Sequence, residues 1–339
     1  MKRPTIRDVA RRAGVVPSTV SRVLNNYPDV ADETRRRVVD AIRELRFHPS
    51  HIARQFRRGR TGAVSVILPR VDTDFYTGVI SALDEALDEY SLGIALFPVL
   101  SEARLARYRS EDALPYQSDA LVLISLDPDR LYSGQSLPTT SPTVLIDMVN
   151  PRFDSIFVDN RLGGYLAGKL LCERPAPTFV VLVEEWFSTP FASGVFHERL
   201  AGFRKALDEE GVHIADEHVI PTEFSWAGGR IAARQILERA RPPLNVFATC
   251  DLMARGILDE ARGLGLEVGN DVRLVGYDGL AWTEEYGLST VAQPLNEMGR
   301  VGAQLLLERL NSPGRPPTQI RLQPHLVRRA STEGGGTGR

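Results

Sequence analysis

From Ala63 onward, short apolar runs alternate with amphipathic stretches. AVSVIL (63–68), LGIALF (92–97), ALVLIS (120–125), TVLIDM (143–148), FVVLVE (179–184), NVFATC (245–250) and VRLVGYD (272–278) have the length and β-branched content of buried strands. Thr77 to Tyr90, Leu162 to Leu171, Leu200 to Glu210, Ala227 to Ala240 and Met253 to Gly263 read as the intervening helices. Strand and helix in alternation predict parallel sheets covered on both faces, an α/β architecture. The runs are too many for one tidy sheet, which predicts two doubly wound lobes. Ligands in such folds sit outside the carboxyl ends of the strands, here in the cleft between lobes.

Before Ala63 the pattern is helical. In Thr5 to Asn25, TIRDVARRAGVVPSTVSRVLN, Thr5 can cap a helix opening at Ile6, with Ile6, Val9 and Ala10 on one face. Gly14 supplies the positive φ that ends this helix near Ala13. Pro17 pre-sets the first turn of a second helix whose apolar face is Val20, Val23 and Leu24. Its outward residues Ser18, Thr19, Ser21 and Arg22 form a polar edge sized for a major groove, which is helix-turn-helix geometry. Asp29 to Leu45 predicts a third helix with Val38, Ala41, Ile42 and Leu45 inward. Arg35, Arg36 and Arg37 lie on its other faces, as a solvated surface or as phosphate contacts. Pro49 to Arg60, PSHIARQFRRGR, can form two helical turns before Gly59, a basic linker marginal by itself.

Charge separates the two regions. Residues 1–62 hold 15 Lys and Arg against 6 Asp and Glu, whereas the remainder holds 26 against 37, a split hidden by the net charge of −2. A basic head on an acidic body is the footprint of nucleic-acid binding by one domain. The 339 residues suit two or three modules, and 43% hydrophobic with 25% charged residues is globular. Cys172 and Cys250 give neither a disulfide framework nor a metal quartet, which fits a reducing compartment. MKRPTIRD lacks the apolar core of a signal peptide, and no run approaches a membrane span, so a soluble cytoplasmic protein is expected.

The run from Thr5 through Phe56, with IRDVARRAGV, STVSRVLN and PSHIARQF in order, resembles the head and hinge of the LacI/GalR family of bacterial repressors. The resemblance implies that Pro17, Ser18 and Arg22 read base edges, Arg22 being suited to guanine because its fork matches O6 and N7. It implies phosphate contacts from Thr19, Ser21 and Asn25, and adds Thr5, Thr34, Ser50 and Arg54 to the DNA-facing set. Paired hinge helices would push Phe56 into the central base step with Ala53 against the minor groove. The chain departs from the family at Val16 and Ala31, where serine is usual, and at Phe56, where leucine is usual. One phosphate contact and one helix cap are thereby lost, and Pro17 cannot hydrogen-bond a base.

The body resembles the periplasmic-binding-protein-like effector domain of the same family through DTDFYTGVI, VDN (158–160), HERLAGF (197–203), ATCDLMARG from Ala248, LVGYDG (274–279) and LSTVAQP (288–294). The resemblance implies a head over 1–47, a hinge helix and linker over 48–61 and an effector and dimerisation domain over 62–330. Within that domain, lobe 1 covers about 62–160 and 293–321 and lobe 2 about 161–292 and 322–330, the chain crossing three times. The tail 331–339 is expected to be disordered.

By the same resemblance Phe75, Tyr76, Asp147, Arg199, Phe224, Cys250 and Asp278 form the effector site. Arg199 would grip ligand oxygens, Phe224 would stack on a ring and Asp278 would face the ligand from the second lobe. Each has a structural alternative: Arg199 as the partner of a nearby carboxylate, Phe224 as core. Cys250 replaces the family's usual polar amide. An aromatic plate with an arginine and carboxylates suits a sugar or nucleoside. A dimer on a palindromic operator follows, with no cofactor and no metal; His213 and His218 read as a surface pair. The alternatives are a nucleotide-dependent enzyme and a sugar-transport protein. GLGLEVG from Gly263 follows a helix rather than a strand, and neither G-x-S-x-G nor H-E-x-x-H occurs, so an enzyme is not expected.

Overall fold

The computed structural model describes residues 4–24, 27, 30–45, 61–99, 101–110, 112–132, 134, 137–184 and 194–334. The chain divides into two compact units, residues 1–61 and 62–339.

The first unit contains α1 (Ile6–Ala13), α2 (Pro17–Leu24) and α3 (Asp32–Glu44). Thr5 starts α1 with a capping box. Its hydroxyl accepts the Asp8 N–H at 3.4 Å, while its own N–H donates to Asp8 Oδ2 at 2.9 Å. Gly14 ends α1 at φ 65°, and the Val15 N–H closes back on the Ala10 carbonyl at 3.0 Å. Val9, Ala10, Ala13, Val20, Val23, Val38 and Ala41 form the core, with Ile42 and Leu45 half-buried at its edge. The helix expected from Asp29 opens at Asp32, and Ala31 offers it no side-chain acceptor.

Two of the four arginines on α3 hold the head together. Arg37 Nη2 donates to the carbonyls of Ala13 (2.5 Å) and Gly14 (3.3 Å), and Arg35 Nη2 donates to that of Tyr27 (2.6 Å). Among the described residues the Arg37 contacts fix the turn between α1 and α2 from the third helix, and the Arg35 contact ties down the connection after α2.

The second unit is built on two sheets. The first contains β1 (Ala63–Leu68), β2 (Gly93–Pro98), β3 (Ala120–Ile124), β4 (Thr143–Ile146), β5 (Asp154–Val158) and β11 (Gln319–Leu322). The second contains β6 (Thr178–Val183), β7 (Val219–Thr222), β8 (Leu244–Ala248), β9 (Val272–Asp278), β10 (Ser289–Ala292) and β12 (His325–Val327). Their orders are β11-β5-β4-β3-β1-β2 and β12-β10-β9-β8-β6-β7. Every pairing is parallel except that of β10 with β12. The chain passes between sheets after β5, after β10 and after β11.

Helices cover both faces, as the near-continuous apolar strands require. On the first sheet, α4 (Asp74–Asp88) and α10 (Leu295–Asn311) pack over Val64, Val66, Val122, Ile124 and Ile146. The other face buries Ile67, Leu121, Leu123 and Leu145 beneath Leu105 of α5 (Glu102–Tyr108). On the second, α8 (Trp226–Arg239) and α9 (Asp251–Gly263) cover Val181, Val246 and Leu274. There α6 (Asn160–Cys172) and α7 (Val195–Glu209) cover Val180, Phe247 and Tyr277. Each fully buried Leu, Ile or Phe contributes roughly 2 kcal/mol by removal from water.

One expectation is corrected. The tail does not begin at residue 331: Ala330–Glu333 is a helical turn in which Ser331 and Thr332 are buried. Ser331 Oγ donates to the Leu274 carbonyl at 2.6 Å, and Arg273 Nε donates to the Thr332 carbonyl at 3.2 Å. The buried Arg273 also reaches the carbonyls of Leu170, Leu171 and Arg174 at the end of α6. Sequence composition cannot show a small polar turn satisfied by partners dozens of residues away. Residues 335–339 lie outside the described residues.

Candidate functional site

The head presents one polar face. Pro17, Ser18 and Arg22 are exposed on α2, while Thr19 and Ser21 are half-buried beside them. Ser18 and Arg22 stand four residues apart and so share a helix face. The Arg22 guanidinium carbon lies 5.3 Å from the Tyr27 ring centroid, an orientation the sequence reading missed. Thr5 is exposed, but its hydroxyl also donates to Asp8 Oδ2 at 2.7 Å. Thr34 sits half-buried in the first turn of α3. Asn25, Ser50, Ala53, Arg54 and Phe56, with the whole expected hinge helix, lie outside the described residues.

The second unit gathers its candidates at the carboxyl ends of both sheets. Ser125 follows β3, Asp147 follows β4 and Asp278 ends β9, at φ 53°, 58° and 127°. These are the left-handed and neighbouring regions that non-glycine residues avoid, at a cost of roughly 1–3 kcal/mol each where surrounding structure does not relieve it. Ser125 Oγ donates to Asp147 Oδ2 at 2.6 Å. The buried Tyr76, in the first turn of α4, lies beside Ser125 and within electrostatic reach of both Asp147 and Asp278. Burial pushes its phenol well above the usual range. Phe75 meets Tyr76 edge-on, with ring centroids 5.2 Å apart.

Arg199 is seated by a close helix crossing. A Cβ on Gly164 of α6 would fall 1.8 Å from the Arg199 carbonyl oxygen, and one on Gly202 of α7 would fall 1.9 Å from that of Arg161. The glycines therefore let the two backbones touch, which carries Arg199 into the interior at 3% exposure. Its Nε donates to Asn160 Oδ1 (2.8 Å), and its Nη1 donates to the Thr249 carbonyl (2.7 Å) and lies 3.5 Å from Asp278 Oδ1. The guanidinium carbon stands 3.7 Å from the Tyr277 ring centroid and 5.1 Å from that of Phe196. Phe196 in turn lies 5.9 Å from Phe224.

Asp278 and Asp251 form a buried acidic pair. Burial pushes the Asp278 carboxyl up toward neutrality, opposed by Arg199 and by the Gln293 amide, which donates to Asp278 Oδ1 at 2.8 Å. Asp251 is raised for the same reason, although the N–H groups of Gly279 (2.8 Å) and Leu280 (3.0 Å) and the Thr290 hydroxyl (2.7 Å) all donate to it. Cys250 is buried beside this pair, and burial followed by the Asp278 charge holds its thiol well above the ordinary range. A protonated buried thiol is inert as a nucleophile.

The seven residues expected from the sequence lie at one end of the two sheets: Arg199, Cys250 and Asp278 in one cluster, Phe224 beside Phe196 and packed against the second sheet's core, and Tyr76, Phe75 and Asp147 on the first sheet. The sequence reading missed Ser125, Asn160, Thr249 and Gln293, which hydrogen-bond Asp147, Arg199 and Asp278. Gln293 Oε1 is buried without a hydrogen-bond partner among the described residues, an acceptor adjacent to Asp278. It also missed Arg70, two residues beyond β1, whose side chain crosses to Phe224.

The sequence pattern of the lacI family of bacterial regulatory proteins matches residues 5–50, and that of a periplasmic binding protein-like domain matches residues 169–332. The HTH-type transcriptional repressor PurR of Proteus mirabilis is 32% identical over 339 residues, spanning 98% of this chain and 97% of that protein. A probable transcription regulator from Thermus thermophilus is 47% identical over 79% of this chain and 97% of its own, with a TM-score of 0.69. The transcriptional regulator CelR in complex with cellobiose is 29% identical over 97% and 100% of the two chains, with a TM-score of 0.70.

Proposed function

The chain belongs to the LacI family of bacterial regulatory proteins, and from that premise we propose that it is a transcriptional repressor whose hold on a palindromic operator is set by a small ligand in the cleft of the second unit. The observation that carries the reading is the placement of Asp147 and Asp278 at the carboxyl ends of the two sheets. Each follows or ends a strand of a different sheet in strained backbone, and both act on the same Tyr76 phenol. Strain of this kind is retained where surrounding structure holds polar groups for use.

In this reading Arg199, Asp147, Asp278 and Gln293 supply the polar contacts, and Phe75, Tyr76 and Phe224 supply the aromatic walls. Carboxylates and an acceptor amide call for a ligand rich in O–H and N–H donors, and the aromatic rings call for a flat or ring-shaped body. A sugar or nucleoside combines both. The cellobiose held by CelR is a ligand of that kind. Cys250 contributes shape, since its protonated thiol is a weak donor.

On the DNA side, Ser18 and Arg22 reach base edges, with Thr19, Ser21, Thr34 and Thr5 near phosphates. Residues Asn25, Ser50, Ala53, Arg54 and Phe56 complete the contact set by resemblance. A palindrome requires a second copy. Val71, Leu96 and Leu114 on the first lobe and Trp226 and Ile231 on the second, all at least 39% exposed, supply apolar surface for that copy to cover.

Selection from random duplexes, run with and without a panel of sugars and nucleosides, tests the reading. The expected result is a twofold-symmetric consensus with steep salt dependence, and at least one panel member that shifts affinity tenfold or more. Recovery of no symmetric sequence overturns the DNA assignment. A consensus indifferent to every panel member overturns the ligand class.

A further inference from the structure

Arg70 spans the two sheets. It lies just past β1 of the first, and its guanidinium carbon stands 5.1 Å from the ring centroid of Phe224, just past β7 of the second. Arg70 Nη1 also donates to the Phe224 carbonyl at 3.4 Å. The side chain is not free to wander. Asp72 accepts from Nε at 2.6 Å and from Nη2 at 2.8 Å, a fork that fixes the guanidinium plane. This pairing raises the proton affinity of Arg70 and lowers that of Asp72. Tyr76 and Cys250 lie within its electrostatic reach, so the contact sits at the cleft and not on a remote edge.

We propose that Arg70 is an interlobe latch: held by Asp72 on the first lobe, it rests on the ring and carbonyl of Phe224 on the second, and so favours the closed cleft without help from a ligand. The latch also sets a steric rule. Two flat groups admit a third between them only when they stand about 7 Å apart, twice the van der Waals contact distance of roughly 3.5 Å. Arg70 and Phe224 are closer than that, and the Phe196 ring, tilted 49° to Phe224 at 5.9 Å, is a further neighbour of the plate. A ring that seats on the Arg70 side of Phe224 must therefore displace the guanidinium. Arg70 is in this sense a specificity-determining residue, since it discriminates against any ligand whose contacts do not replace its own. That last consequence rests on the proposed ligand cleft; the latch itself does not.

The test uses the full chain with no added ligand. Fluorescent labels are placed by unnatural amino acids at the exposed Glu89 and Glu217, one on each lobe, and labelled protein is diluted with unlabelled protein so that only distances within one chain report. A cation over an aromatic ring at a partly exposed site is worth about 1 kcal/mol, so Arg70→Ala is expected to lower the closed-to-open ratio about fivefold. Phe224→Leu removes the ring but keeps the carbonyl contact and should lower it less, and the double variant should lose little more than Arg70→Ala alone. Arg70→Lys, a point charge without the planar fork, should fall between. An unchanged distance distribution in Arg70→Ala, or losses that simply add in the double variant, overturns the latch. Both results are independent of which ligand, if any, the cleft takes.

Discussion

The Arg199 nitrogen that faces Asp278 Oδ1 at 3.5 Å is the same one that donates to the Thr249 carbonyl at 2.7 Å. The carbonyl and not the carboxylate holds the stronger bond, and Asn160 takes the Nε. Arg199 is therefore a three-way tie among α6, the end of β8 and the end of β9, and not simply the counter-ion of Asp278. A lysine cannot reproduce two donors in a rigid fork over the Tyr277 ring. Arg199→Lys is expected to destabilise the second unit by about 2–3 kcal/mol, the cost of leaving buried acceptors unmatched. Urea unfolding followed on that unit's transition checks this, and a loss within error of zero would refute the tie.

Asp251 and Asp278 give the fold a pH dependence whose sign is fixed. Burial raises both carboxyls, so between the ordinary carboxylate range and neutrality the folded state binds more protons than the unfolded one. Stability is then full at the acid side of that window and falls as pH rises through it, by up to about 1.4 kcal/mol per pH unit for each proton. Asp154 and Asp72, whose carboxyls are lowered, act only below that window and do not mask the effect. Melting curves at about pH 5 and about pH 7 should show the wild-type chain gaining on acidification, and Asp278→Asn gaining less. Equal gains in both would remove Asp278 as the source.

What the sequence made legible divides along range of interaction. The helix-turn-helix was readable because Thr5, Gly14 and Pro17 act on their immediate neighbours, and seven strands were readable because β-branched apolar runs declare themselves. Strand β5 was not, since it opens on Asp154, a fully buried charge tolerable only because Arg309 and Arg315 reach it from the far end of the chain. Helix α10 was not read from the sequence, and its Gly299 and Gly302 leave room for α4 and for Ile146. Arg199 and Asp278 stood out by resemblance. Arg70 and Gln293 did not, because nothing within a few residues announces the partner of Arg70 on the other sheet or that of Gln293 on the neighbouring strand.

Ala31 is a position where one atom is missing. It precedes α3 with extended backbone at ψ 138°, the conformation of a capping residue, yet carries no oxygen to accept the free amides of the first turn. Ala31→Ser should stabilise the head by about 1 kcal/mol. Gly14→Ala should do the reverse at similar or greater cost, since its φ of 65° is strained for alanine and its Cβ would meet Arg37 Nη2 at 2.7 Å. Thermal unfolding of the two variants checks both; a neutral Gly14→Ala would mean that the turn relaxes and that the Arg37 contact is dispensable.

Arg22 and Arg37 are expected to separate recognition from architecture within one small basic domain. Arg37 spends its guanidinium on the carbonyls of Ala13 and Gly14, so its removal should loosen the turn and weaken binding to all duplexes alike. Arg22 projects from the exposed face of α2 beside Ser18, with its guanidinium over the Tyr27 ring, so its removal should lower the melting temperature of the head less than removal of Arg37 does. If it reads a guanine, Arg22→Ala should cost about 1–3 kcal/mol on the preferred operator and relax the preference at a single base pair in each half-site. Arg37→Ala should leave the ranking of operators intact while lowering every affinity. Competition binding against a library of single-base variants measures both quantities together. If Arg22→Ala preserves the ranking, base reading must be reassigned to Ser18 and Pro17, whose apolar ring can contact only a thymine methyl.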